Sequence, residues 1–216
     1  RSLRTAVNLR TGESEERPKV LTVTSSLPGE GKTTLASWIA RLAARAGDKV
    51  ILIDCDLHRP SVHKVFGKAN DVTLVEYLSG KAKLEDAIRK DDPSGLHVML
   101  GRSVPGSALD LLSGEKMQKL IVSLRQGYDL VILDSPACLA VSDARVLAAQ
   151  SDRTLYTVYW NRTPRPVIAT GVKQFADFGY RNLAFVLTHV DVKRHARYGY
   201  GDTAYYYGHY ADGTRS

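Results

Sequence analysis

The sequence predicts an α/β fold: a parallel central sheet flanked by helices on both faces. Two observations carry this expectation. Short, continuous, β-branched apolar runs recur along the chain, and such runs fill strands that are covered on both faces. Helical stretches alternate with them, and strand–helix alternation winds a parallel sheet. The strand runs are residues 19–24, 50–53, 96–100, 130–133, 154–159 and 183–187. The helical stretches are 33–45, 114–125, 142–150 and 167–177. Gly47 and Asp48 punctuate the end of the first helix, where a glycine often closes the last turn. No internal repeat is visible.

Length and composition bound the rest. A chain of 216 residues fits one domain, at most two, and can form a core without staples. Apolar residues make up 44% and charged residues 25%, which excludes wholesale disorder and fibrous repeats. Two cysteines, Cys55 and Cys138, are too few for a disulfide framework. A reducing cytoplasmic setting is therefore expected, with both as bystander thiols. No apolar run approaches the ~18–20 residues that span a bilayer. The chain starts at Arg1 rather than Met and reads as a fragment, which leaves room for a membrane anchor outside it. The net charge of +7 suits an acidic partner (nucleotide, anionic lipid, nucleic acid or acidic protein face) without choosing among them.

The ends differ from the body. Residues 1–17 read as a short helix and a charged loop, with Leu3, Ala6 and Val7 among Arg1, Arg4 and Arg10. Residues 18–192 form the α/β body. The tail, 193–216, has no Val, Leu, Ile, Met or Phe, so it buries little and is expected to be mobile. It nonetheless holds six of the eleven tyrosines: Tyr198, Tyr200, Tyr205, Tyr206, Tyr207 and Tyr210.

The stretch 25–34, SSLPGEGKTT, follows the first strand and opens the first helix. A triphosphate needs backbone N–H donors, a cation and a hydroxyl for Mg²⁺. Gly29 and Gly31 let the backbone wrap phosphate oxygens closely, and the helix N-terminus adds partial positive charge. Lys32 is placed to reach the terminal phosphates and Thr33 to ligate Mg²⁺. The candidate nucleotide-binding residues are Pro28, Gly29, Glu30, Gly31, Lys32, Thr33 and Thr34, on a P-loop NTPase fold. The pattern is incomplete, because Ser26 stands where the first glycine belongs.

Two acidic clusters end strands: Asp54-Cys55-Asp56 and Asp134-Ser135-Pro136. A parallel sheet delivers both to the carboxyl edge that carries the phosphate loop. One Asp after a strand is often only a cap or turn former. Three carboxylates beside a phosphate loop point to a Mg²⁺ site, with Thr33, Asp54 and Asp134 as ligands directly or through water.

Together these residues resemble the bacterial tyrosine kinases that regulate exopolysaccharide and capsule export. The likeness rests on Ser25 to Thr34, including Pro-Gly-Glu-Gly-Lys-Thr, on Ile51 to Asp56 with Leu57-His58-Arg59-Pro60, and on Val131 to Pro136. The stretches 109–113 and 142–144 and the closing tyrosine cluster add to it. The resemblance implies ATP and Mg²⁺ as cofactors and a protein-tyrosine autokinase activity. Lys32, Asp54 and Asp56 would be catalytic, with Asp56 or Asp54 orienting the phenol. The six tail tyrosines would be phosphoacceptors, reached in trans within a ring-like homo-oligomer. Arg1 and Arg4 match two arginines of an amino-terminal assembly helix and are the candidate interface. Further implied partners are a membrane co-polymerase or activator segment, attached or separate, and a cognate phosphotyrosine phosphatase. No nucleic acid is expected. The implied location is the cytoplasmic side of the bacterial inner membrane. Six phosphates would add roughly −9 to −12 charges, enough to reverse the formal +7 and loosen the assembly.

The chain departs from the family at several positions. His58 stands where Arg is usual, Ser135 and Ala137 replace Thr and Pro, and Thr188 replaces an Asn that touches adenine. Leu27 replaces the additional lysine of the related partitioning and septum-placing ATPases. Two other readings are a nucleotide-switched scaffold for a polymer-export complex and a partitioning-type ATPase. Leu27 and the tyrosine tail count against the second.

Overall fold

The computed structural model describes residues 18–67 and 72–195. Arg1, Arg4 and the six tail tyrosines lie outside them. Seven strands form one sheet: β1 (Val20–Ser25), β2 (Val50–Asp54), β3 (Ile88–Asp91), β4 (Leu96–Met99), β5 (Leu130–Asp134), β6 (Arg153–Tyr159) and β7 (Leu183–Thr188). Their order is β3-β4-β2-β5-β1-β6-β7, and every pair is parallel except β3 with β4.

The central strands are buried on both faces, as their unbroken apolar runs require. Along β1, Leu21 and Val23 join one core with Leu52 and Ile132, while Val20 faces the other core with Ile51, Ile53, Val131 and Leu133. This is the two-residue period of a strand with helices on either side. On the first face lies α1 (Lys32–Arg45), whose Leu35, Ala36, Ile39, Ala40 and Ala43 recur at helical spacing and are buried. Its outer face shows Trp38, which is 67% exposed. The opposite face is covered by α6 (Glu115–Gly127) through Met117, Leu120, Ile121 and Leu124. α7 (Asp143–Ala149) adds Leu147 to that face. α8 (Arg165–Asp177) is pinned beside β6 by Gly171 and Phe175, its two buried residues.

Between β2 and α6 lie short elements that periodicity does not mark. These are α2 (His63–Phe66), α3 (Leu74–Leu78), α4 (Leu84–Ala87) and α5 (Ala108–Ser113). Four to six residues cannot display a helical repeat. A readable signature does exist at α3: Thr73 accepts from the Val75 N–H, and the Glu76 carboxylate accepts from the Thr73 N–H, a capping box. β3 (Ile-Arg-Lys-Asp) runs antiparallel on the sheet edge and has one apolar residue. Its charges suit an edge that is not to pair with another chain. Among the described residues, no helix is long and apolar enough to cross a membrane. A last turn, α9 (Val192–His195), follows β7.

Candidate active site

The sheet order sets the C-terminal ends of β2, β5 and β1 side by side. Asp134 is in register with Asp54 on one side and with Val23 on the other. The phosphate loop leaves β1 at Ser25 and enters α1 at Lys32. Gly29 and Gly31 both have left-handed backbones, φ 82° and 84°. A side chain at Gly31 would be strained there, and its Cβ would also stand 3.2 Å from the His189 ring.

The loop is braced from behind. Leu27 N–H donates to Glu30 Oε2 at 2.9 Å, and the Thr163 hydroxyl donates to Glu30 Oε1. The Glu30 carboxylate is therefore committed to the loop, and only its backbone is left for a nucleotide. Thr188, at the end of β7, donates its hydroxyl to the Glu30 carbonyl at 2.9 Å. The position read as a lost adenine contact is thus a strut of the phosphate loop. Ser26, in place of the first glycine, shares a 2.7 Å hydrogen bond with the buried Tyr156 hydroxyl. Gly171 makes room for that hydroxyl, since a Cβ there would sit 2.0 Å from it.

Thr33 donates its hydroxyl to Asp134 Oδ2 at 2.6 Å. Having given its proton, it accepts the Ser61 hydroxyl at 2.8 Å. The other Asp134 oxygen, Oδ1, is buried and has no hydrogen-bond partner among the described residues. Lys32 is 9% exposed. Asp54 spends its carboxylate on its own loop: Oδ2 accepts from Ser61 and Val62 N–H at 3.0 Å, and Oδ1 from Asp56 N–H at 3.3 Å. Asp56 is half-buried and accepts from Arg59 N–H at 2.9 Å.

Two buried carboxylates on neighbouring strands repel each other and lack water. Burial pushes Asp134 well above the usual carboxylate range and Asp54 adds repulsion, while the Thr33 hydroxyl and Lys32 pull the other way. Burial also pushes Asp54 up to about 7, partly opposed by the Val62 and Ser61 amides. A divalent cation would relieve this, and the orphaned Asp134 oxygen beside a threonine hydroxyl fits Mg²⁺. No group of three Asp, Glu, His or Cys side chains converges among the described residues. That also suits Mg²⁺, which keeps waters and substrate oxygens as ligands. Cys55 and Cys138 are buried, and burial raises both thiols, as bystanders should be.

A cleft of about 640 Å³ opens over these groups. Its walls include Pro28, Gly29, Gly31, Lys32, Thr33, Thr34, Asp56, His58 and His189. Every sequence-predicted nucleotide residue except Glu30 is on this wall. The arrangement offers amides and a lysine for phosphate, a hydroxyl–carboxylate pair for Mg²⁺, and a half-buried acidic side chain, Asp56, at the rim.

Comparison with known proteins agrees. The family model described as "AAA domain" matches residues 18–177. Tyrosine-protein kinase YwqD of Bacillus subtilis is 32% identical over 203 residues, covering 94% of this chain and 85% of YwqD. The chain belongs to the bacterial tyrosine-protein kinases. Other curated members are longer, and the chain spans 27% of their length. Among solved structures, the VpsO kinase domain superposes with a TM-score of 0.79 at 32% identity, covering 88% of this chain and 93% of that one. MinD from Pyrococcus horikoshii, complexed with Mg-ADP, gives 0.64 at 25% identity, covering 77% and 67%. The kinase is the nearer match of the two on both measures.

Residue types alone left several participants unseen. Tyr156, Thr163 and Gly171 brace the loop from β6, the turn after it and α8, far away in sequence. Ser61 was legible only as part of a loop, yet its hydroxyl bonds Thr33 and its amide bonds Asp54.

Proposed function

We propose that this chain is an ATP-dependent protein-tyrosine autokinase that phosphorylates its own carboxy-terminal tyrosines in trans within an oligomer. What supports the reading most is the Thr33–Asp134 pair beside Lys32, with Asp56 on the wall of the same cleft. Lys32 offsets the terminal phosphate's charge as its bond to ADP breaks. Thr33 and Asp134 would hold Mg²⁺, with Asp54 acting through water because its carboxylate holds the 56–62 loop. The ion supplies charge neutralisation on the phosphates. Asp56 orients the incoming phenol and accepts its proton late, once the new P–O bond has begun to form.

The acceptors are Tyr198, Tyr200, Tyr205, Tyr206, Tyr207 and Tyr210. Arg1 and Arg4 contribute to the ring interface, and the added negative charge loosens it. The protein then regulates polysaccharide export beside a membrane partner, at the inner face of the bacterial inner membrane, and is reset by a phosphotyrosine phosphatase. One relative's description, a kinase "in cps region", is in keeping with this.

Intact mass after incubation with Mg-ATP tests it. Stepwise gain of phosphate on the tail peptide, lost in Lys32→Met, is the expected result. ADP release without mass gain would replace the kinase reading with a scaffold or partitioning ATPase. Changing Arg1 and Arg4 to Ala should lower the oligomer mass; an unchanged mass removes them from the interface.

A further inference from the structure

His58 follows the first acidic cluster, Asp54-Cys55-Asp56, and lines the nucleotide cleft. Its Nε2 lies 2.7 Å from Oδ2 of Asp143, the first residue of α7. The two ends differ sharply in exposure: the His58 side chain is 39% exposed and that of Asp143 is 3% exposed. A buried carboxylate thus grips a ring that solvent and nucleotide can reach. The loop so gripped is the one that carries Asp56. Leu57 is fully buried and its carbonyl accepts from Val104 N–H, so the backbone beside His58 is already anchored. The imidazole then ties the loop to α7.

The charges around the ring are mixed. Asp143 faces it from α7. Asp56 and Arg59 flank it on its own loop, Lys32 lines the same cleft from α1, and Lys64 does so from α2. A ring N–H donated to a buried carboxylate is a hydrogen bond to an ionised acceptor, the stronger kind. Removing it leaves Asp143 buried beside the loop without that donor.

We propose that His58 is a positioning residue, whose bond to the buried Asp143 ties the Asp56 loop to α7 and so sets where Asp56 stands for phosphoryl transfer. This rests on the tyrosine-kinase reading of the site, because Asp56 is the group being positioned. Arginine at 58 would keep the tie, since its guanidinium also donates to a carboxylate.

The test compares wild type with His58→Gln, Asp143→Asn, the double variant and His58→Arg at one pH. kcat and KM for ATP are read from phosphate incorporation by intact mass, and hydrogen exchange of the 56–62 amides is read in parallel. His58→Gln and Asp143→Asn should each lower kcat about fivefold, with a smaller change in KM, and should speed exchange of the loop amides. The double variant should be no worse than either alone, and His58→Arg should restore transfer and protection. Wild-type kcat and exchange in both single variants overturn the proposal. If wild type incorporates no phosphate, the kinase reading has failed, and the exchange data still decide whether His58 holds the loop.

Discussion

Two loops meet at the nucleotide cleft, and they are held by opposite means. The phosphate loop is locked from β6, β7 and the turn after β6 by Tyr156, Thr188 and Thr163, with Glu30 as the hub. None of these contacts waits for a ligand. The acidic loop of residues 54–62 is held by Asp54, a buried carboxylate that is raised to about 7 and stands in register with a second raised carboxylate, Asp134. Both loops are hydrogen-bonded as the chain folds, but only the second hangs on a carboxylate whose charge burial opposes. The phosphate cradle is thus preorganised by contacts within the fold, while on the proposed reading a divalent cation would relieve the strained charge of the acidic loop.

Four experiments press on the contrast, from the largest expected effect downward. Asp134→Asn removes the partner of Thr33 and one of the two raised charges. Phosphate incorporation should fall at least ~100-fold, while the metal-free protein melts at a higher temperature. A melting point that falls would place Asp134 with the structural braces instead.

The second is pH. Asp54 has its folded-state value raised from 3.8 to about 7. Its contribution to stability is therefore fully present below its unfolded value and is lost as pH rises through the folded one. Without metal, the melting temperature should drop between about pH 4 and pH 7, and Mg-ADP or Asp54→Asn should flatten that drop. A flat curve for the metal-free wild type would mean that the pair is not strained by charge.

Gly171→Ala comes third. A new Cβ 2.0 Å from the Tyr156 hydroxyl forces either α8 or the tyrosine to move. About 1–3 kcal/mol should be lost in denaturant unfolding, together with some nucleotide affinity. Loss of stability with affinity unchanged would uncouple this brace from the loop. The smallest effect belongs to Tyr156→Phe, which leaves Ser26 without its partner. It should cost about 1 kcal/mol and leave the pH dependence of the acidic loop as it was.

The sequence made one of these loops far more legible than the other. Gly29, Gly31, Lys32 and Thr33 are adjacent, so spacing alone announces them. The strands β1, β2 and β5 were readable because burial on both faces demands unbroken apolar runs. β3 was not, since an edge strand of Ile88, Arg89, Lys90 and Asp91 is shaped by solvent rather than by the core. The braces were hidden for another reason. Tyr156 meets Ser26 across a separation of 130 residues, and Thr188 meets Glu30 across 158, so only the folded sheet brings them together. The division of labour among the aspartates was likewise silent. Asp54 and Asp56 look alike as letters, yet one is consumed by Ser61 and Val62 amides while the other stands at the rim.

The strut from Thr188 to Glu30 has a mechanical consequence. β7 ends at that threonine, and the polypeptide runs on through α9 toward the tyrosine-bearing segment. The last strand of the sheet is therefore fastened at its end to the nucleotide cradle. A shift of the edge strand at its carboxyl end would be felt at once in the Glu30 peptide, 158 residues away along the chain.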